Sequence, residues 1–388
     1  MHTYITGMSG TGKTTVLKDQ MLSDIAQGDG VLFIDPHGHD TDDVLGRIPK
    51  HRIKDVLLFD PSDYEHPIAW NPLADVPGPL VPYVASTIVD TFKDAWGYGA
   101  MITPTLDQYL YNTTAALIEV GEPLIGIKYM LTSDKYRRRV LKRVCDPVVY
   151  DFWTNDFEDM TDRERRDTTR STLNKIGALI SDARIRHVIG QSRTAFSVPD
   201  IIDQRRVFFA RLPQGRLGIQ KTRLMGSLLL TQFHQAALAR STDTPFHIYL
   251  DELHHWQGQT LIEMMSGIRK FNVSLTVAHQ YLDQLAPTVL AAVHGNTARK
   301  IIFRVSRSDG DRLNDLTRDN QMLFDLHAMP AFHYRQITRE GITDELLEVE
   351  LPPYREDVAD RIRAGSRRHY SQDRSKVAAY IDRFIKKT

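Results

Sequence analysis

The chain has 388 residues, and its 49 Lys and Arg balance 49 Asp and Glu, so the formal net charge is zero and no whole-molecule field draws it to nucleic acid or to an anionic membrane. Any polyanion must therefore be met by local patches. The single cysteine, Cys145, excludes an internal disulfide and fits a reducing compartment; no apolar run approaches the roughly 20 residues of a membrane span, so a soluble, cytoplasmic protein is expected.

The first 60 or so residues alternate short apolar runs with helical patterns, as a parallel sheet covered on both faces does. Strands are predicted at 2–6, 31–35 and 56–60, with a helix at 13–26. A proline-rich stretch at 67–82 breaks that rhythm. From about 84 to 193 the pattern is helical, with basic runs such as Arg137, Arg138, Arg139, Lys142 and Arg143. Acidic residues interleave the later ones, among them Asp156, Glu158, Asp159 and Asp162, which reads as solvated helix faces rather than one phosphate-binding stripe. Strands return at 207–212, 246–251, 273–278, 300–305 and 332–338. The expected organisation is an α/β domain in two parts, 1–78 and 201–350, with a helical insertion at 79–200 and a basic C-terminal tail of short helices at 351–388.

Between the first strand and the first helix lies Gly7-Met8-Ser9-Gly10-Thr11-Gly12-Lys13-Thr14, a complete Walker A pattern in the strand–loop–helix context that gives it meaning. Its glycines let backbone N–H groups converge on phosphate oxygens, and the helix N-terminus adds partial positive charge. The candidate nucleotide-binding residues are Gly7, Ser9, Gly10, Thr11, Gly12, Lys13, Thr14 and Thr15. Lys13 is expected to reach the β- and γ-phosphates of ATP and Thr14 to ligate Mg2+. The apolar run Phe246-His247-Ile248-Tyr249-Leu250 then ends in Asp251 and Glu252. Asp251 suits the magnesium shell, and Glu252 suits polarisation of an attacking water.

Two patterns are set aside. Asp35-Pro36-His37-Gly38 formally satisfies the D-x-x-G of GTP switches, yet Asn174-Lys175-Ile176-Gly177 ends in Gly where a guanine-reading Asp should stand. His37-Gly38-His39 and His254-His255 lack the convergent third and fourth ligands of a zinc centre, so no metal beyond magnesium is expected.

Six further stretches give a more specific likeness: Asp35-Pro36-His37-Gly38, Phe59-Asp60-Pro61-Ser62-Asp63, Trp70-Asn71-Pro72-Leu73, Leu173-Asn174-Lys175-Ile176, Phe209-Ala210-Arg211-Leu212-Pro213-Gln214-Gly215 and Thr276-Val277-Ala278-His279-Gln280. With the two Walker motifs, and over roughly residues 1–340, they resemble the TraG/TraD-like coupling ATPases of the HerA/FtsK superfamily. The resemblance implies a RecA-like P-loop core with an all-helical insertion, in which Lys13, Thr14, Asp251, Glu252 and Gln280 line one subunit's nucleotide and Gln280 senses the γ-phosphate. Arg269, in Ser266-Gly267-Ile268-Arg269-Lys270, falls where these ATPases place an arginine finger directed at a neighbouring subunit; Arg304 is a second candidate, better read as a structural strand residue. Also implied is a homo-oligomer, a hexameric ring, that moves DNA by its phosphates without reading bases, in conjugation, secretion or packaging. Coupling ATPases usually carry N-terminal membrane helices, whereas here the phosphate loop begins at residue 7, so two readings stand open: a soluble relative, peripherally associated with a separate membrane, secretion or packaging partner, or a chain whose start has been lost or misassigned. The competing reading is a nucleotide-gated interaction protein that assembles a complex with little turnover and no DNA pumping. Glu252 and Arg269 favour turnover, while zero net charge supports DNA less than ATP.

Overall fold

Short β-branched and aromatic runs build the strands: β1 (Thr3–Thr6), β2 (Gly30–Asp35), β3 (Val56–Phe59), β4 (Val207–Arg211), β5 (Phe246–Leu250), β6 (Val273–His279), β7 (Arg299–Phe303), β8 (His333–Ile337) and β9 (Ile342–Leu346). They form one nine-stranded sheet in the order β3-β4-β2-β5-β6-β1-β7-β8-β9. All pairings from β3 to β7 are parallel, and β8 and β9 add an antiparallel hairpin at the β7 edge. The protein is seen in a computed structural model that describes residues 1–97, 101, 103–317 and 325–388. β9 was not anticipated: its sequence, ITDEL, is mostly exposed and lacks the alternation that a half-buried strand shows, as suits an edge strand.

Every residue of β2 is buried, the expected state of a parallel strand covered on both faces. On one face, Ile5, Phe33, Phe209, Ile301 and Phe303 pack with Val16, Leu17, Met21 and Ile25 of helix α1 (Lys13–Gln27) and with Val44 and Leu45 of α2 (His39–Leu45). Each such side chain removed from water stabilises the fold by about 1.5–3 kcal/mol. On the other, the helix Ile219–Ala239 brings Phe233 against Phe208 and Phe246, with ring centroids 5.3 and 5.9 Å apart. The consequence for function lies in the strand order. Because β1 neighbours β6, and β6 neighbours β5, the segments that follow these three strands emerge side by side at one edge of the sheet, the edge where open α/β sheets hold ligands.

Contacts divide the chain into two units, and the sheet lies wholly in the first, Met1–Phe59 with Val198–Ser366. The second, Asp60–Ser197 with Arg367–Thr388, is helical among the described residues apart from a bridge between Ile68 and Ser371. There the fully buried Asn71 donates its side-chain amide to the carbonyls of Glu122 and Ser192, at 3.3 and 3.2 Å, and receives the Leu73 N–H. Trp70-Asn71-Pro72-Leu73 is thus a buried tie between distant segments. The C-terminal helix Arg374–Lys387 belongs to the same unit, with Phe384 edge-on to Tyr129 and Tyr136. Among the described residues no helix is long and apolar enough to cross a membrane.

Candidate active site

The loop between β1 and α1 is shaped by glycines whose backbone other residues resist. Gly12, the residue before α1, has φ 115°, and a Cβ there would come within 2.6 Å of Leu347 Cδ2. Gly10 has φ 76° but would meet no atom within 4 Å: its conformation demands glycine, and the space above it is open. The loop is pinned from β7, because Met8 N–H donates to the Arg304 carbonyl at 2.8 Å. The Met8 carbonyl in turn accepts from the Thr11 hydroxyl at 2.7 Å and from Lys13 Nζ at 2.9 Å. Lys13 is buried; burial lowers its pKa, and the charges of Asp251 and Glu252 act against that shift. Thr14 and Thr15 occupy the first turn of α1, half-buried, while Ser9 and Gly10 are exposed.

Asp251 and Glu252 directly follow β5 and are 6% and 8% exposed. Asp251 Oδ1 accepts the Glu252 N–H at 2.9 Å, and its main-chain carbonyl accepts from Trp256 Nε1 at 3.0 Å. Burial, and after it the neighbouring carboxylates Asp40, Glu252 and Asp35, push its pKa well above the usual range. Glu252 behaves oppositely. Burial alone would raise it, but His254 and Gln280 hold it at about 2. Gln280 Nε2 donates to Glu252 Oε1 at 2.6 Å, and His254 Nδ1 lies 3.3 Å from Oε2 without the alignment of a hydrogen bond. Glu252 also has φ 49°, a left-handed conformation that non-glycine residues adopt at a cost and that recurs where a side chain is aimed by its surroundings.

Gln280 is positioned through its predecessor. His279 ends β6, its Nε2 is 2.6 Å from the Tyr4 hydroxyl of β1, and its Nδ1 is 3.1 Å from the Tyr281 carbonyl. Burial lowers the His279 pKa to about 3, so the ring stays neutral and acts as a fixed strut between the two central strands.

Lys13, Asp251, Glu252 and Gln280 are therefore gathered at one edge of the sheet. Arg269 is not among them. It precedes β6, is exposed, and is separated from Gln280 by that seven-residue strand, about 23 Å at the usual rise. Arg304 lies just beyond β7, with its carbonyl on the phosphate loop. Sequence reasoning missed Asp35 and Asp40 as parts of the charge balance around Asp251. Asp35 ends β2 and accepts from the N–H groups of His37, Gly38 and Thr41, each at 2.8 Å, so it organises the turn into α2. The signal available was a carboxylate directly after a strand, as at Asp251.

Comparison with known proteins places this arrangement. The chain superimposes on the bacterial conjugative coupling protein TrwBdeltaN70 in its unbound form with a TM-score of 0.63, at 15% identity over 92% of this chain and 86% of that one. The fold is that of the TrwB coupling protein. TrwB in complex with ADP and Mg2+ gives 0.62 at 16% identity, covering 92% of this chain and 87% of that one. VirB4 of Thermoanaerobacter pseudethanolicus gives 0.58 at 17% identity, covering 90% and 89%. No protein-family model and no curated protein sequence matches the chain. The P-loop ATPase fold implied by the sequence resemblance is thus the fold observed, at a level of identity that shows the fold and not the activity.

Proposed function

We propose that this chain is a magnesium-dependent ATPase that works as a head-to-tail ring, hexameric by analogy with the coupling ATPases, and moves DNA through contacts to its phosphates. The observation that carries the reading is the gathering of Lys13, Asp251, Glu252 and Gln280 at one edge of the sheet, with Gln280 Nε2 donating to Glu252 Oε1 at 2.6 Å and Asp251 set among acidic neighbours that push its carboxyl up. A group of carboxylates that cannot all ionise comfortably fits a hard divalent cation, and the oxygen donors of Asp251 and Thr14 suit Mg2+. When bound, the ion would supply charge neutralisation at the transferring phosphoryl group. The open space above Gly10 and the ammonium of Lys13 fit a polyphosphate, with Gly7, Ser9, Thr11, Gly12 and Thr15 completing the cradle. Glu252, already ionised and oriented by Gln280, accepts a hydrogen bond from the attacking water. Arg269, too distant from its own Gln280 to serve it, acts on the nucleotide of the neighbouring copy.

The ring and the DNA rest on the fold shared with TrwB and VirB4. The test is ATP hydrolysis with and without DNA. Lys13→Ala and Glu252→Gln should each lower kcat by at least about 100-fold, while Glu252→Gln still binds ATP. Equal turnover in both variants and the wild type would remove the assignment. Turnover that no DNA stimulates would point instead to nucleotide-gated assembly.

A further inference from the structure

A cleft of about 500 Å³ opens at the edge of the sheet opposite the phosphate loop, within the size range of small-molecule sites. It lies where β1, β6 and β7 begin and β8 ends, and its walls include Arg269, Lys270, Lys300 and Arg339 but no Asp or Glu. None of these four cations makes an ion pair among the described residues, in a chain whose charges otherwise balance. Lys300 is half-buried and burial lowers its pKa; its one hydrogen bond goes to the Thr297 carbonyl at 3.2 Å. The C-terminus of the helix Pro287–Asn296 thus accounts for Lys300 and leaves the other three unexplained.

Two histidines add donors. His2 is 2% exposed and lines the cleft. Its Nδ1 accepts the Leu275 N–H at 2.9 Å, which leaves the proton on Nε2, a buried atom that makes no aligned hydrogen bond, although the Met265 backbone acts on the ring. Burial first, and Arg269 among the nearby charges, lower its pKa to about 4. His294, also on the cleft, has both ring nitrogens buried and unpartnered. Three exposed cations, the half-buried Lys300 and the unpartnered ring nitrogens of His294 thus line one concavity that no Asp or Glu neutralises, and an anion seated there would offset the repulsion among the cations.

We propose that this cleft is a second phosphate site, distinct from the phosphate loop, that binds a compact polyphosphate through Arg269, Lys270, Lys300 and Arg339 with the His2 imidazole as a neutral donor. A polyphosphate tail concentrates several negative charges in one pocket, matching the convergence of four cations, whereas each phosphodiester of a nucleic-acid strand brings a single charge and asks for a stripe. The polyphosphate has two possible sources, a free pyrophosphate or nucleotide and the tail of a nucleotide held by a second copy. The second source rests on the function proposed above; the first does not.

The site is tested by titrating sodium pyrophosphate into the Lys13→Ala protein, whose own phosphate loop has lost its lysine, and following heat or the 31P signal. Saturable 1:1 binding is expected, weakened about tenfold by either Arg339→Ala or Lys300→Gln added to that background, because each removes a charge-assisted hydrogen bond. Arg339 is exposed, so its variant keeps the test alive if Lys300→Gln unfolds. Absent binding, or binding that neither substitution changes, overturns the proposal. So does a result in which the substitutions weaken binding of a DNA duplex and leave pyrophosphate untouched. Sedimentation of the otherwise wild-type protein with ATP separates the sources. Self-association abolished by Arg339→Ala assigns the polyphosphate to a second copy, and association that survives loss of pyrophosphate binding assigns it to a free ligand.

Discussion

Replacing Asp251 by Asn should stabilise the ligand-free protein while removing its response to magnesium. The folded chain holds the Asp251 carboxyl above its ordinary value of 3.8, through burial first and then through Asp40, Glu252 and Asp35. Between 3.8 and the raised folded value the native state keeps a proton that the unfolded chain has released, so stability falls as pH rises through that window. The cost grows from 3.8 upward and is fully present only above the raised folded value. Asn removes it, and its amide oxygen can still accept the Glu252 N–H that Asp251 now accepts at 2.9 Å. Site replacements of this kind gain on the order of 1 kcal/mol, which for a unit of this size raises Tm by about 2–4 °C. The gain should shrink as pH falls toward 4, where the penalty is absent in both proteins. Magnesium and ADP reverse the ranking: a ligand at 100 times its Kd adds about 2.7 kcal/mol to the protein that binds it, and only wild type should gain that much. Thermal melts at pH 5, 6 and 8, with and without the two ligands, measure all of this. A variant that melts below wild type without ligand at pH 8, or that matches its shift with magnesium and ADP, refutes the assignment of Asp251.

Gly226→Ala would drive a methyl group into the Trp256 ring, whose indole N–H holds the Asp251 carbonyl at 3.0 Å; overpacking of about 1–3 kcal/mol in stability and a larger drop in kcat than in KM are expected, and an unchanged kcat would show that Trp256 does not position the site. Lys13→Ala and Arg269→Ala proteins should each be nearly inactive, and exchanging their subunits should restore part of the ATPase, since roughly a quarter of interfaces in a random head-to-tail ring join an intact loop to an intact arginine; no recovery in verified mixed oligomers would make Arg269 a surface residue. DNA affinity should be indifferent to sequence and fall steeply between about 50 and 200 mM salt, as gel-shift titrations would show; affinity flat over that range would remove the phosphate-contact model.

The parts of the site encoded by local pattern were legible, and the parts made by strand order were not. Gly7 to Thr14 needs only a strand, a loop and a helix in succession, and Asp251 and Glu252 need only an apolar run before them. The contact of Gln280 with Glu252 spans 28 positions and was reached through resemblance alone. The influence of Asp35 and Asp40 on Asp251 was invisible because it depends on β2 lying beside β5, a pairing that no periodicity in either run reveals. The same holds for Asn71, whose partners Glu122 and Ser192 lie 51 and 121 positions away.

Strand polarity limits which assemblies the proposed chemistry permits. In one copy the parallel strands carry Lys13, Asp251, Glu252 and Gln280 to their C-terminal edge, and Arg269 with the basic cleft to the N-terminal edge. A two-fold dimer presents the same patch from both copies. Centred on either edge, it would set cleft against cleft, facing four cations with four more, or phosphate loop against phosphate loop. Neither contact brings a cation edge to a phosphate. A heterologous contact joins the N-terminal edge of one copy to the C-terminal edge of the next, and such a contact repeats until it closes into a ring or runs on as a filament. An ATP-dependent dimer that is centred on either edge, stops at two copies and is fully active would therefore contradict both the proposed shared active site and a second-copy source for the cleft's phosphate, since each calls for an N-terminal edge set against a C-terminal one.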